Sequence, residues 1–106
     1  MTSFAEQVSA FMGPFVGRVP HNKKLGLRFI TNGPNWVELQ LPFAPHLLVD
    51  PDHGVWASGP IITLMDTCVG MASMLARGAF EPHATLDLRT DYVRSPKAQA
   101  TVTARG

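Results

Sequence analysis

A long apolar segment from Gly54 to Arg77 constrains the fold more than any other part of the chain. Pro60 suits the first position of a helix, because its missing N–H would have no intrahelical partner there. From Ile61 to Ala76 there is no further proline, and Gly78 stands where a left-handed helix cap is expected. The segment therefore predicts one continuous helix from about Gly59 to Arg77, about 25 Å long at 1.5 Å per residue.

At about 100° per residue, this helix has a wide apolar face and an opposite strip of small, mostly uncharged side chains. Asp66 is the one carboxylate of the helix and lies in that strip, where nothing at i±3 or i±4 can pair with it. A carboxylate in such a setting is a candidate for function, and a solvated aspartate or one bonded to Thr63 or a loop N–H is the alternative. The apolar face comprises Ile61, Met65, Cys68, Val69, Ala72, Leu75 and Ala76, and the strip comprises Thr63, Asp66, Gly70, Ser73 and Arg77.

Composition limits the classes of protein that this chain can represent. Its 106 residues, 45% hydrophobic and 16% charged, indicate one globular domain over residues 1–106. A net charge of +1 without a basic run argues against nucleic-acid binding. No apolar run approaches the ~20 residues of a membrane span, and the N-terminus, with its early Glu6, does not resemble a secretory signal. The single Cys68 cannot form an internal disulfide, so a cytoplasmic protein is expected.

The remaining chain alternates between turn signals and period-2 strand patterns. Ser3 and Glu6 read as a capping box for a short helix over Phe4–Met12, which Gly13-Pro14 is expected to end. Phe15–Lys24 is predicted to be irregular, and the proline-rich segment 42–53 to be a loop. Strands are predicted at 25–31, 36–42, 84–93 and 98–105, the first two joined by a turn at 32–35. This order predicts an α+β fold in which an antiparallel sheet wraps around one central helix.

Two motifs, GVWASGPIITLMDT and ATLDLRTDYVRSP, resemble those of the hotdog-fold acyl-CoA thioesterases, specifically the small phenylacetate-pathway type. The resemblance runs from about Gly54 to Pro96. The first motif is similar to the glycine-containing turn, helix start and acidic residue of that family, and the second to the strand that follows the helix. Because the family usually continues through about two more strands, the resemblance also implies a single hotdog-like domain that lacks C-terminal strands.

The resemblance implies a set of catalytic residues. A backbone N–H at the helix start, eight residues before the acid, polarises the thioester carbonyl in the family, and this position falls on Ser58, with Gly59 next. The acidic residue falls on Asp66, and a hydroxyl residue of the following strand falls on Thr85. The turn departs from the family pattern, since Ala57, Ser58 and Gly59 stand where a histidine and two glycines are usual.

These residue types suit thioester hydrolysis. Negative charge develops on the carbonyl oxygen, and a helix N-terminal N–H that stabilises it is typically worth about 3–4 kcal/mol of the barrier. Asp66 would attack the carbonyl or take a proton from water, and the sequence leaves both routes open. Ser58 and Asp66 lie about 12 Å apart along a helix axis. One carbonyl needs both groups, so a two-fold homodimer, or a dimer of dimers, is predicted.

Four further residues are candidates for substrate binding. Thr63 and Gly70 are small enough to leave room for an acyl chain or ring beside Asp66. Arg94 and Lys97 are plausible contacts for the phosphates of coenzyme A, although solvated turn charges are an equal alternative. No cofactor is expected beyond the coenzyme A of the substrate.

Two other functions compete with the thioesterase. One is a hotdog domain that only binds acyl-CoA or serves assembly. The other is a dehydratase or hydratase, which usually needs a histidine beside the acid, and no histidine lies in the predicted helix or at its start. Metal binding is not expected, because prolines interrupt the cluster of His46, Asp50, Asp52 and His53, and Cys68 is expected to be a packed thiol.

Overall fold

The computed structural model describes residues 2–106, which form one long helix, a three-stranded antiparallel sheet and a helical N-terminal segment. The elements in chain order are α1 (Phe4–Gln7), a π-helical turn (Val8–Met12), α2 (Gly13–Val16), α3 (Pro20–Leu25), β1 (Arg28–Asn32), β2 (Val37–Leu41), a 3-10 turn (Pro45–Leu47), β3 (Leu48–Asp50), β4 (Val55–Trp56), α4 (Ser58–Arg77) and β5 (Val102–Arg105).

Helix α4 confirms the main prediction and begins one residue earlier, at Ser58. Gly78 ends it in the left-handed conformation, with φ of 71°, and donates to the carbonyls of Met74 and Leu75. Pro60 is the third helical residue instead of the first, which is tolerated because first-turn N–H groups have no intrahelical acceptor.

The buried face of α4 differs from the predicted one. Its buried residues are Leu64, Cys68, Met71 and Leu75, whereas Val69 is half exposed. At 100° per residue the mean direction of this face is rotated by about 70° from the prediction. The reason is that α4 packs on β2 and β5, and the direction of that contact is a property of the assembled layers.

The sheet has the order β1-β2-β5 with both pairs antiparallel. The predicted first hairpin and last strand are confirmed, and each of the three strands is shorter than predicted. Strand β2 is central, and the three side chains on its inner face, Val37, Leu39 and Leu41, are fully buried beneath α4. Leu39 pairs with Phe29 of β1 and with Ala104 of β5. This alternation of buried and half-buried residues is the period-2 pattern that the sequence displays.

The predicted strand 84–93 is wrong, because residues 79–101 form neither helix nor strand. Leu86 is fully exposed and Val93 is 92% exposed. A strand needs a hydrogen-bonding neighbour, and among residues 2–106 no other strand lies beside this segment. The radius of gyration, 14.4 Å, exceeds the value of about 13 Å expected for a compact domain of this length, in keeping with an open segment.

The N-terminal predictions need correction at two points. Gly13-Pro14 does not end the first helix, because α2 continues directly through both residues. Glycine is required there for another reason, since a Cβ on Gly13 would lie 2.8 Å from the Phe29 ring. Segment 15–24 is not irregular either, because Pro20 opens α3 and Gly26, with φ of 84°, caps it.

The predicted loop 42–53 contains short regular structure. A 3-10 turn is followed by β3, which pairs with β4 in a two-stranded hairpin just before α4. Trp56 in β4 is buried, packs edge-on against Phe43 and donates from Nε1 to the carbonyl of Lys97. The hairpin therefore anchors the chain at the point where α4 begins.

Helix α4 is long and apolar enough, by length and composition alone, to cross a membrane, which the sequence reading did not anticipate. Such helices also occur as the central helices of globular folds. Because α4 packs on β2 and β5, the helix is weak evidence for a membrane protein.

Candidate active site

Helix α4 presents Thr63 and Asp66 toward α3 and toward the irregular segment that follows α4. Residues three apart on a helix share a face, so these two side chains open onto the same cavity, of about 490 Å³. This Asp66 cavity is lined by Val19, His21 and Asn22 from the region of α3, by Ile62, Thr63, Asp66 and Thr67 from α4, and by Thr85 and Leu88.

Asp66 is not unpaired in the folded chain. The hydroxyl of Thr85 donates to Asp66 Oδ1 at 2.6 Å. The carboxylate is half-buried and lines the cavity, and its second oxygen has no hydrogen-bond donor within residues 2–106. This arrangement fixes one oxygen and leaves the other available for attack on a carbonyl or for proton transfer.

Thr63 has its hydroxyl engaged within the protein. Its Oγ1 donates to the carbonyl of Gly59, one helical turn earlier, at 3.1 Å. His21 Nε2 lies 3.1 Å from the same oxygen. A hydroxyl can donate only one hydrogen bond, and Thr63 donates its own to the Gly59 carbonyl. In the second hydrogen bond, therefore, Nε2–H of His21 is the donor and Thr63 Oγ1 is the acceptor. The Thr63 hydroxyl, which was expected to contact the substrate, is therefore already hydrogen-bonded to two groups of the protein.

His21 is the residue of this cavity that sequence reasoning missed. It is 42 positions from Thr63, and segment 15–24 was expected to be irregular, which assigns no direction to its side chains. The cue that the sequence does contain is Pro20 followed six residues later by Gly26, a proline start and glycine end of a short helix. Even that cue does not tell against which element α3 packs.

The start of α4 carries the other predicted catalytic groups. Ser58 and Gly59 are exposed, and the N-cap residue Ala57 makes no side-chain hydrogen bond. The N–H groups of the first turn therefore have no capping side chain, and the helix dipole favours negative charge beside them. Two turns of continuous helix, about 12 Å, separate Ser58 from Asp66, so one chain does not bring them together.

The remaining predicted substrate residues lie outside the Asp66 cavity. A Cβ on Gly70 would lie 3.4 Å from His83 Nε2, so this glycine faces His83. Arg94 is exposed and lines a second cavity, of about 460 Å³, on the side of α4 that carries Ile61 and Met65. Lys97 is exposed, and its carbonyl accepts the indole N–H of Trp56.

Other groups that suit chemistry are engaged elsewhere. Burial raises the pKa of the Cys68 thiol, which disfavours the nucleophilic thiolate. Asp50 and His53 pair with each other at 2.8 Å on the surface. A larger cavity, about 770 Å³, is lined chiefly by aromatic and apolar side chains, including Phe11, Phe15 and Phe80, and contains no acid–base pair. The Asp66 cavity is therefore the better candidate for a reaction site.

Solved structures show which known folds the chain resembles. A protein from Pseudomonas aeruginosa is 30% identical and superposes with a TM-score of 0.74, over 94% of this chain and 71% of that one. A protein described as from the thioesterase superfamily is 25% identical, with a TM-score of 0.72 over 96% and 70% of the two chains.

The chain has the hotdog fold of the thioesterase-superfamily proteins that it resembles. A Shewanella oneidensis protein described as related to that superfamily shares the fold, with a TM-score of 0.78 at 20% identity over 99% of this chain and 77% of that one. No family model and no curated protein matches the sequence. In hotdog terms, α4 is the central helix, and the antiparallel sheet packs against it.

Proposed function

We propose that this protein is an acyl-CoA thioesterase that hydrolyses a small or medium acyl-CoA to the free acid and coenzyme A. The observation that carries the proposal is the Thr85–Asp66 hydrogen bond at 2.6 Å, on the rim of a cavity of about 490 Å³ beside the central helix. Similarity to a protein described as from the thioesterase superfamily supports this class of reaction.

Asp66 is the group that starts the reaction. With Oδ1 held by Thr85, its other oxygen either attacks the thioester carbon or removes a proton from the attacking water. Thr85 acts through Asp66 by orienting the carboxylate. The cavity gives an acyl group of modest size room beside this carboxylate, next to Ile62 and Leu88.

A homodimer completes the site. The N–H groups of Ser58 and Gly59 suit the developing oxyanion, because they lie at a helix N-terminus without a capping side chain. Since about 12 Å of helix separates them from Asp66 of the same chain, the donors that serve one Asp66 are those of the partner subunit. Dimer and dimer-of-dimers assemblies both allow this.

Coenzyme A itself binds at the surface in this proposal. Arg94 and Lys97 are exposed cations near the end of the irregular segment, and they would contact its phosphates. Gly70 leaves space along α4 one turn beyond Asp66. No cofactor is needed, and the cytoplasm is the compartment proposed for the reaction, in keeping with one buried free thiol.

One observation favours a second function, a hotdog domain that binds acyl-CoA or serves assembly without hydrolysis. The turn before α4 has Ala57, Ser58 and Gly59 where the resemblance leads one to expect a histidine and two glycines. An altered turn changes which groups approach the carbonyl oxygen while leaving the cavity in place.

A panel of acyl-CoAs that differ in chain length, with phenylacetyl-CoA and benzoyl-CoA included because of the phenylacetate-type resemblance, separates the two functions. Release of free thiol is measured for each compound, and binding is measured by calorimetry. Hydrolysis that disappears in Asp66→Asn supports the thioesterase. Binding of an acyl-CoA without thiol release from any compound supports the non-catalytic domain and overturns the thioesterase proposal.

A further inference from the structure

The Asp66 cavity contains a second titratable side chain, His21, brought to it by α3 of the same chain. Asp66 faces the cavity from α4, and the other lining residues do not ionise near neutral pH. The two cations of α3, Lys23 and Lys24, line a different cavity. The cavity therefore holds one carboxylate and one imidazole, which is the composition of an acid–base pair.

The hydrogen bonds of Thr63 decide which nitrogen of His21 is free. Nε2–H donates to Thr63 Oγ1, whose own proton goes to the Gly59 carbonyl. Nδ1 has no hydrogen-bond partner within residues 2–106. The ring is therefore tethered through Nε2 to the first turns of α4, and a proton gained on Nδ1 leaves that tether intact.

We propose that His21 is the proton donor for the leaving sulfur of the thioester, a role that rests on the thioesterase function proposed above. An imidazole can carry a transferable proton on Nδ1 while its Nε2–H stays in the hydrogen bond to Thr63, which suits a general acid. The two residues thereby have separate roles. Asp66 activates the water that attacks the carbonyl, and His21 protonates the sulfur that leaves.

In hydrolysis by water, addition to the carbonyl precedes loss of the thiol. The water oxygen bonds to the carbonyl carbon, its proton passes to Asp66, and the C=O π electron pair moves to the carbonyl oxygen. When that pair returns, the C–S bond breaks and its electrons stay on sulfur. The Nδ1–H of the His21 imidazolium gives its proton to this sulfur, so the products are the carboxylic acid and the free thiol. Solvent then returns His21 to its protonated form and takes the proton from Asp66.

A leaving-group experiment tests this role. The same acyl group is presented as its CoA thioester, whose alkyl thiolate benefits from a proton, and as a thioester of an electron-poor aryl thiol, whose stable thiolate leaves without one. His21→Gln keeps a side-chain N–H for Thr63 and removes the titratable nitrogen. We expect kcat/KM to fall by about 10²-fold or more on the CoA thioester and by only a few fold on the aryl thioester.

The control is His46→Gln, because His46 is also an exposed histidine held through Nε2 by a hydrogen bond, in its case with the Lys24 carbonyl, and it does not line the Asp66 cavity. This variant is expected to match the wild type on both substrates. Thr63→Val, which removes the acceptor of the tether, is expected to lower hydrolysis of the CoA thioester more than that of the aryl thioester while His21 itself is retained.

Equal losses on the two thioesters in His21→Gln would assign His21 a structural role and overturn the proposal, and so would an unchanged rate. A wild-type protein that hydrolyses neither thioester would instead overturn the thioesterase function, and this inference with it.

Discussion

Replacing Asp66 with Asn is the most informative single change, because it separates catalysis from structure. Asn keeps the shape of the side chain and an acceptor oxygen for the Thr85 hydroxyl, which lies 2.6 Å from Oδ1 in the wild type. A hydrogen bond to a charged group contributes about 1.5–3 kcal/mol and one to a neutral group about 0.5–1.5 kcal/mol. The difference, about 1 kcal/mol, is the largest expected loss in the free energy of unfolding, because solvent screens a half-buried carboxylate.

The expected loss of stability is therefore small, a fall of roughly 5 °C or less in the melting temperature for a domain of this size. The expected loss of rate is much larger. Removing a positioned acid or base costs about 10²–10⁴-fold, which corresponds to about 3–5 kcal/mol of the activation barrier. The assay is thiol release from the best substrate of the acyl-CoA panel, measured per folded molecule beside a thermal unfolding curve.

Thr85→Val is the matched comparison, since it removes the donor while Asp66 stays charged. We expect a loss of about 1 kcal/mol of transition-state stabilisation, roughly fivefold in rate. If Thr85 acts only through Asp66, the double variant is no slower than Asp66→Asn alone. The catalytic assignment would be refuted if Asp66→Asn kept an activity within a few fold of the wild type. A loss of about 1–3 kcal/mol in the free energy of unfolding would then show that Asp66 is a structural hydrogen-bond acceptor.

Three further predictions concern assembly and stability. Sedimentation at micromolar concentration is expected to show a dimer or a larger even assembly, and a monomer that hydrolyses acyl-CoA at the full rate would refute the shared site. Gly54→Ala is expected to destabilise the protein more than Gly78→Ala in urea unfolding: both have positive φ, which alone costs about 1–2 kcal/mol, but a Cβ on Gly54 would lie 2.4 Å from that of Ala98, whereas Gly78 has open space. Equal losses would contradict this contact. Because burial raises the pKa of Cys68, the folded state holds the thiol proton more tightly than the unfolded chain, a contribution present below the ordinary thiol pKa and lost as pH rises through the folded pKa. The free energy of unfolding is therefore expected to fall more steeply on the alkaline side in the wild type than in Cys68→Ala, and parallel curves would show that the thiol does not contribute.

The sequence by itself determined the elements whose pattern is local. Helix α4 was predictable because proline and glycine mark its two ends and nothing between interrupts it. The β1–β2 hairpin was predictable because two segments of alternating apolar and polar residues flank a turn of asparagine, glycine and proline residues at 32–35. The choice of Asp66 also came from sequence, since a lone carboxylate in a long apolar helix needs a reason.

Only the tertiary structure decided the features that depend on what lies opposite. Segment 84–93 alternates as a strand should, yet it forms none, because a strand is held by a neighbour that local pattern cannot supply. The buried face of α4 is rotated from its predicted position, because packing on β2 and β5 fixes it. The meeting of His21 with Thr63, and of Thr85 with Asp66, joins residues 42 and 19 positions apart. Contacts at such separations arise when α3 and the chain beyond α4 pack against the same helix face, and this packing, more than any motif, places an acid and an imidazole at one cavity.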